Sequence, residues 1–251
     1  MARVAAIYRY PVKGLSAEPL VAVDVAAGET IPFDRAFAIE NGPSPFDPSA
    51  PSHLPKVCFL MLMRNELMAS FQTVFDEGDH RLTIAKDGVP VAEGRLDTDS
   101  GRRAIESFFD GALADELRGP ARMLTAPGHS FSDAADKVLS LINLASVRDL
   151  ERHVGATVHP LRFRGNVYVD DLPAWEEFDW IGKRLAVGGL VAQVAGRIDR
   201  CAATDVNPVT AMRDLRVPQT LLRAYDHNDC GVYLRVVEGG RFAVGDAIGV
   251  A

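Results

Sequence analysis

Three cysteines in 251 residues, Cys58, Cys201 and Cys230, are too few and too widely spaced for a disulfide framework. A reducing compartment, the cytoplasm, is the expectation that follows. Positive charge is also scarce: Lys and Arg number 27 against 34 Asp and Glu, a formal net charge of −7. Nucleic-acid coats and membrane-surface proteins need a net basic face, so neither partner is expected. Long apolar runs are missing as well. The longest, Val57–Met63, falls far short of the roughly 20 residues a bilayer span requires. The opening MARVAAIYRYPVKG lacks the basic-then-apolar layout of a secretion signal.

Several catalytic signatures are absent too. There is no G-x-x-x-x-G-K-[ST], no H-E-x-x-H, no paired C-x-x-C and no G-x-S-x-G, and the six histidines are dispersed. Phosphate-loop, zinc-hydrolase and serine-hydrolase chemistry are therefore set aside.

What is present is an ordinary globular composition, 47% hydrophobic and 24% charged. That suits one large domain or two small ones sharing an interface. Residues 4–10 read as a strand stopped by Pro11, with a turn at Lys13-Gly14. Val21–Val25 and Arg35–Ile39 read as further strands, and 81–85 with 89–92 as a hairpin around Lys86-Asp87-Gly88. Between them, residues 42–55 hold five prolines in fourteen positions, which leaves only a surface loop. Helices are expected at 102–109 and near 112–117, and a domain boundary at the Pro120 to Gly128 breaks. Beyond it, Val138–Leu144 reads as a strand running into a helix over 147–154, with Ser146 as N-cap and Gly155 closing it. The rest is β again, at 164–169, 185–187, 190–198, 231–237 and 241–250. The resulting expectation is an α+β fold, predominantly β, with domains at 1–119 and 120–251.

Two stretches could carry chemistry. Residues 152–169 contain no acidic side chain, yet hold Arg152, His153, His159, Arg162 and Arg164. Arginines so placed either grip an anionic ligand or pair with surface carboxylates. Cys201, in IDRCAATDVNP, lies near Arg197 and Arg200. Neighbouring cations favour a thiolate, the form that ligates soft metals, although a small buried hydrophobe is the plainer reading. Cys58, inside VCFLMLM, reads as core, and Cys230 is open. The acidic run Glu176, Glu177 and Asp179 around Phe178 and Trp180 reads as a solvated loop.

Taken in order, YPVKG (10–14), FDRAF (33–37), SLINLASVRDL (140–150), LRFRGNVYV (161–169), EEFDWIGKRLAVG (176–188), RCAATDVNP (200–208) and VEGGRFAVGDAIGV (237–250) resemble the MOSC family over nearly the whole chain. The family is named for the C-terminal domain of molybdenum-cofactor sulfurase. The resemblance implies a MOSC N-terminal β-barrel domain followed by a MOSC barrel domain with a few helices. It implies a molybdenum–molybdopterin cofactor with Cys201 as metal ligand. Lys13, Arg35, Arg164, Asn166, Arg200 and Tyr233 are implied as cofactor contacts, together with a Ser132-Asp133 pair in which Asp133 either moves a proton or caps a turn. The amidoxime-reducing members of the family imply reduction of N-hydroxylated small molecules. Some of their bacterial relatives carry a ferredoxin module that is missing here, so electrons are expected from a separate ferredoxin- or cytochrome-type donor and its reductase. A second possibility is a sulfur-carrier or cofactor-transfer role with a persulfide on Cys201. Pyridoxal phosphate is a family-level association only. The chain departs from the family pattern at Gly14, where serine is common, and at Thr210-Ala211, where T-G is familiar.

Overall fold

Along β1 (Arg3–Arg9) Val4, Ile7 and Arg9 are buried, the one-face-in-core pattern of a strand shifted by a bulge between Val4 and Ala6. The structure, a computed structural model, describes residues 1–251. After β1 come β2 (Glu18–Leu20), β3 (Ala22–Val25) and β4 (Phe37–Asn41), then the proline-rich loop. β5 (Phe71–Asp76), β6 (Arg81–Lys86) and β7 (Val89–Arg95) form an antiparallel sheet, followed by α1 (Asp99–Ala112) and β8 (Ala121–Thr125). The second half holds β9 (Leu139–Asn143), α2 (Leu144–Val154), β10 (Val167–Asp170), β11 (Arg184–Val187) and β12 (Leu190–Asp199). It ends with α3 (Val217–Tyr225), β13 (Asp229–Glu238), β14 (Gly240–Ala243) and β15 (Ile248–Val250). No helix is long and apolar enough to cross a membrane.

Eight strands make one sheet in the order β15-β11-β12-β13-β9-β10-β1-β2. The amide of Val4 donates to Asp246 O, that of Gly245 to Val4 O, and that of Ile248 to Ala2 O. β1 is thus bonded on one side to β10 and on the other to residues 245–248, and the curled sheet closes through it as a barrel. The barrel core includes Val4, Ile7, Leu141, Val167, Leu185, Val194, Val232 and Leu234. Each such side chain, fully buried, stabilises by about 1.5–3 kcal/mol relative to exposure. In space, β1, β2 and β3 lie with the second half of the chain. The chain crosses over between β1 and β2, because Val12 and Leu15 belong to a second core with Phe37, Leu60, Ile84, Ile105 and Phe109. That second body is built from the β4–β8 pair, the three-stranded sheet and α1.

The architecture is the predominantly β α+β fold expected, with local differences. α1 is longer than 102–109, because the Thr98 hydroxyl accepts from Gly101 N–H and starts it at Asp99. Residues 112–117 are not a separate helix; Leu113 is the C-cap of α1. α2 begins at Leu144, capped by the Asn143 side chain, and Ser146 lies buried inside it. Arg35 has φ 53° and Arg164 φ 50°, so the flanking strands begin only at Phe37 and Val167. The expected single strand over 241–250 is broken where Gly245 and Asp246 turn to bond β1.

The acidic run is solvated only in part: Asp179 is exposed and Glu176 half-buried, but Glu177 is interior. Glu177 is 0% exposed and accepts from Asn143 Nδ2 at 2.8 Å and Ser146 Oγ at 2.9 Å, while Phe178 and Trp180 enter the barrel core. Burial holds its carboxyl above the usual range despite those donors. Cys58 is half-buried rather than core.

Candidate functional site

A cavity of about 530 Å3 opens between the two bodies. Lys13 reaches it from the stretch just after β1, whose course is fixed by Lys13 N–H donating to Phe37 O. Arg35 enters from the turn before β4, and Ser132 and Asp133 from the linker between the halves. Arg164 and Asn166 stand at the entry to β10, and Arg200 and Cys201 just beyond the end of β12. Tyr233 projects from β13. All nine residues singled out in the sequence therefore line one space. What brings them together is the strand ends, which the barrel gathers at one rim.

The charge there opposes that of the chain. Lys13, Arg35, Lys56, Arg162, Arg164 and Arg200 line the cavity, against only two carboxylates, Asp133 and Asp199. Lys13 Nζ donates to Phe131 O at 2.7 Å and Asp133 Oδ1 at 2.5 Å. Burial pulls its ammonium below the usual range even with Asp133 beside it. Asp133 shows the converse: burial opposes ionisation, but the Lys13 charge and hydrogen bond keep its carboxyl low. Tyr10 lies between two guanidiniums, with Arg35 and Arg164 each 4.3 Å from its ring centre. Arg35 also bonds Asp34 at 2.5 Å and Arg164 O at 2.8 Å.

Arg164 has no carboxylate partner. Its Nη1 donates to Leu15 O at 2.8 Å, and its Nη2 is buried with no acceptor in the chain. Burial lowers it to about 10. Both Arg35 and Arg164 sit in the left-handed region, a conformation that costs on the order of 1–3 kcal/mol and clusters at functional sites.

The remaining members are held differently. Arg200 bonds Phe163 O and Cys230 O, so its guanidinium ties two segments under the cavity. Asn166 joins β-strand ends, accepting from Ser140 N–H and Oγ and donating to Tyr8 O. Ser132 Oγ accepts from Ala134 N–H. Burial raises the Tyr233 phenol. Cys201 is half-buried and precedes the 3-10 turn Ala202–Asp205, its carbonyl accepting from Thr204. At Gly14, φ is +85° and an added Cβ would lie 2.7 Å from Met68 Cε, so methionine fills the room a serine would take.

Of the acid-free stretch, Arg152 pairs with Asp149 on the surface and Arg162 with Asp214 at 2.5 Å, the structural role left open in the sequence. Sequence reasoning assigned no role to His53 or Lys56 and read Val57–Met63 only as an apolar, core-like run; His53, Lys56 and Met61–Met63 line the cavity from the proline-rich side.

Cys230 is 0% exposed, and burial pushes its thiol up to about 12. Iodoacetamide at pH 8 is expected to leave Cys230 unmodified in the native protein while alkylating Cys201, as peptide mass spectrometry would read. Equal labelling of both would contradict this packing.

The MOSC domain family matches residues 127–249. The molybdenum cofactor sulfurases of Drosophila yakuba and Drosophila melanogaster are each 36% identical over 110 residues, which is 40% of this chain and 13% of theirs. The chain thus spans a small part of the length of these relatives. Two solved structures are similar in outline. YuaD protein from Bacillus subtilis has a TM-score of 0.46 and 12% identity, over 98% of this chain and 93% of that one. YiiM from Geobacillus stearothermophilus has a TM-score of 0.35 and 17% identity, over 45% and 53%.

Proposed function

The chain carries a MOSC domain across residues 127–249, and on that premise we propose that the cavity holds a molybdenum–molybdopterin cofactor and that the protein is an oxidoreductase. The observation that carries this reading is the pairing of an anion cradle with a single accessible thiol in one space. Lys13, Arg35 and Arg164 form the cradle, and the buried, acceptor-less Nη2 of Arg164 is a polar atom that an anionic ligand would satisfy. No group of three or more His, Cys, Asp or Glu side chains comes together in the fold. A metal held mainly by its own organic ligand, with Cys201 as the one protein ligand, suits that donor set.

When bound, the cofactor would supply two-electron redox chemistry at molybdenum, suited to removing oxygen from an N-hydroxylated substrate. The chain's own contribution is binding and orientation. The cradle grips phosphate and pterin through charge-assisted hydrogen bonds. Cys201 offers its sulfur at the end of a rigid strand. Asp133 fixes the Lys13 ammonium at the cavity wall, and the segment 53–63 lines the cavity on the proline-rich side. Electrons would come from a separate donor protein of ferredoxin or cytochrome type with its reductase.

The test is molybdenum and oxidised-pterin analysis of protein made in a host that synthesises the cofactor. Near-stoichiometric amounts of both are expected, and their absence would remove this reading. A sulfur-carrier or cofactor-transfer role is the second reading. It is favoured by the half-buried position of Cys201 and by the sulfurase name of the relatives. A sulfur adduct on Cys201 without molybdenum would select it.

A further inference from the structure

The cavity's cations are not equivalent. Lys13, Arg35 and Arg162 each face a carboxylate at 2.5 Å. Arg200 uses its donors on backbone carbonyls, and Arg164 lies stacked on Tyr10 within the cradle. Lys56 differs from all of these. Its nearest carboxylate, Asp133, is 3.8 Å away and already bound more closely by Lys13. Its side chain is 32% exposed, so solution reaches it. It also arrives from the opposite side, on the short 3-10 turn Lys56–Cys58.

That turn is well fixed. Cys58 N–H donates to Pro55 O and Phe59 N–H to Lys56 O. Arg118 donates to Val57 O, and Phe59 bridges to Glu40 of β4. Upstream, Phe46 pins the proline-rich loop against Phe131, with ring centres 5.0 Å apart. Five prolines limit the loop's freedom further. Lys56 and Cys201 line the same cavity.

A held, under-paired cation therefore overlooks the thiol from the solvent side, while the cradle occupies the other. We propose that Lys56 reads the substrate, selecting small N-hydroxylated compounds that carry a carboxylate by pairing that group while the N–O end faces Cys201. The inference rests on the oxidoreductase reading and names its substrate class.

The experiment uses the protein as prepared from a cofactor-competent host, with Lys56→Met and Lys56→Arg beside it. The probes are benzamidoxime and 4-carboxybenzamidoxime, which differ by one carboxylate. Calorimetric binding without any electron donor is measured first. The parent is expected to bind the carboxylate probe about tenfold more tightly, the size of one charge-assisted contact. Lys56→Met should abolish that preference and Lys56→Arg should keep most of it, and salt should weaken it. In turnover, the Met variant should raise KM for the carboxylate probe alone, with kcat unchanged.

Equal affinity of the parent for both probes would overturn the proposal. So would a Met variant that keeps the preference or weakens both probes alike, since a merely structural lysine would act that way. Failure of the oxidoreductase reading shows separately, as missing molybdenum or no turnover of either probe, and the binding comparison still reads Lys56.

Discussion

Replacing Cys201 with alanine is expected to strip molybdenum from the protein, by at least about tenfold, without unfolding it. A lost thiolate removes the one protein bond to the metal in the proposed arrangement. The fold should barely notice. Cys201 is half-buried, its structural contact is the carbonyl that accepts from Thr204, and alanine keeps that carbonyl. The change in stability should stay within about 1 kcal/mol. Metal analysis together with thermal unfolding checks both halves. Full molybdenum in the variant would remove Cys201 from the metal, and collapse of the fold would show its role to be packing. Cys201→Ser, with a harder oxygen ligand of similar size, should retain an intermediate amount.

Arg164→Met is expected to part binding from folding. In the parent, burial without a carboxylate partner lowers the guanidinium from its ordinary value to about 10. At about 1.4 kcal/mol per unit, that is a penalty on the order of 3 kcal/mol. The sign follows from linkage. A cation whose folded pKa is depressed weakens the fold while it is charged, and the penalty fades as pH rises through about 10 toward the ordinary guanidinium value. Methionine escapes the penalty, losing the bond to Leu15 O, worth about 1 kcal/mol, and the stacking on Tyr10. The empty variant should thus melt no lower than the parent at pH 7, and its advantage should shrink at pH 10.5. Cofactor retention should fall at least about tenfold, because the cradle loses its one acceptor-less donor. A variant that is less stable at both pH values, with retention unchanged, would make Arg164 a structural residue.

Arg164 in the acid-free stretch and Cys201 beside Arg200 stood out by side-chain type, whereas Lys13 was marked only by the family resemblance; the structure brings the three to one cavity. A strand with plain alternation, such as Arg81–Lys86, was legible for a local reason too. What local pattern could not show was decided by distant partners. Ser146 looks like an N-cap, yet the carboxylate of Glu177, 31 positions on, draws it into the interior. Glu177 in turn looks solvated until its donors are seen. β5, β8 and α3 were unmarked in the sequence. β5 and β8 take their places from packing against β6 and β4, and α3 starts at a Val217-Pro218 pair that reads as a break. Lys56 was hidden because a lysine after a proline-rich loop resembles any solvated charge.

The closure of the barrel through β1 has a consequence for how the protein is made. Arg3 pairs with Asp170 and bridges to Ala247. β2 follows at once and pairs with Ile7–Arg9, but during synthesis, at about 5–20 residues per second, the Arg3–Val4 end of β1 waits on the order of tens of seconds for its neighbours. For that interval this end of the strand is a bare edge that invites the wrong partner or a chaperone. Lys13 lies just past β1 and Cys201 beyond β12, so the two sides of the cavity meet only after the barrel shuts. On the cofactor reading proposed above, loading would follow synthesis, into a finished barrel.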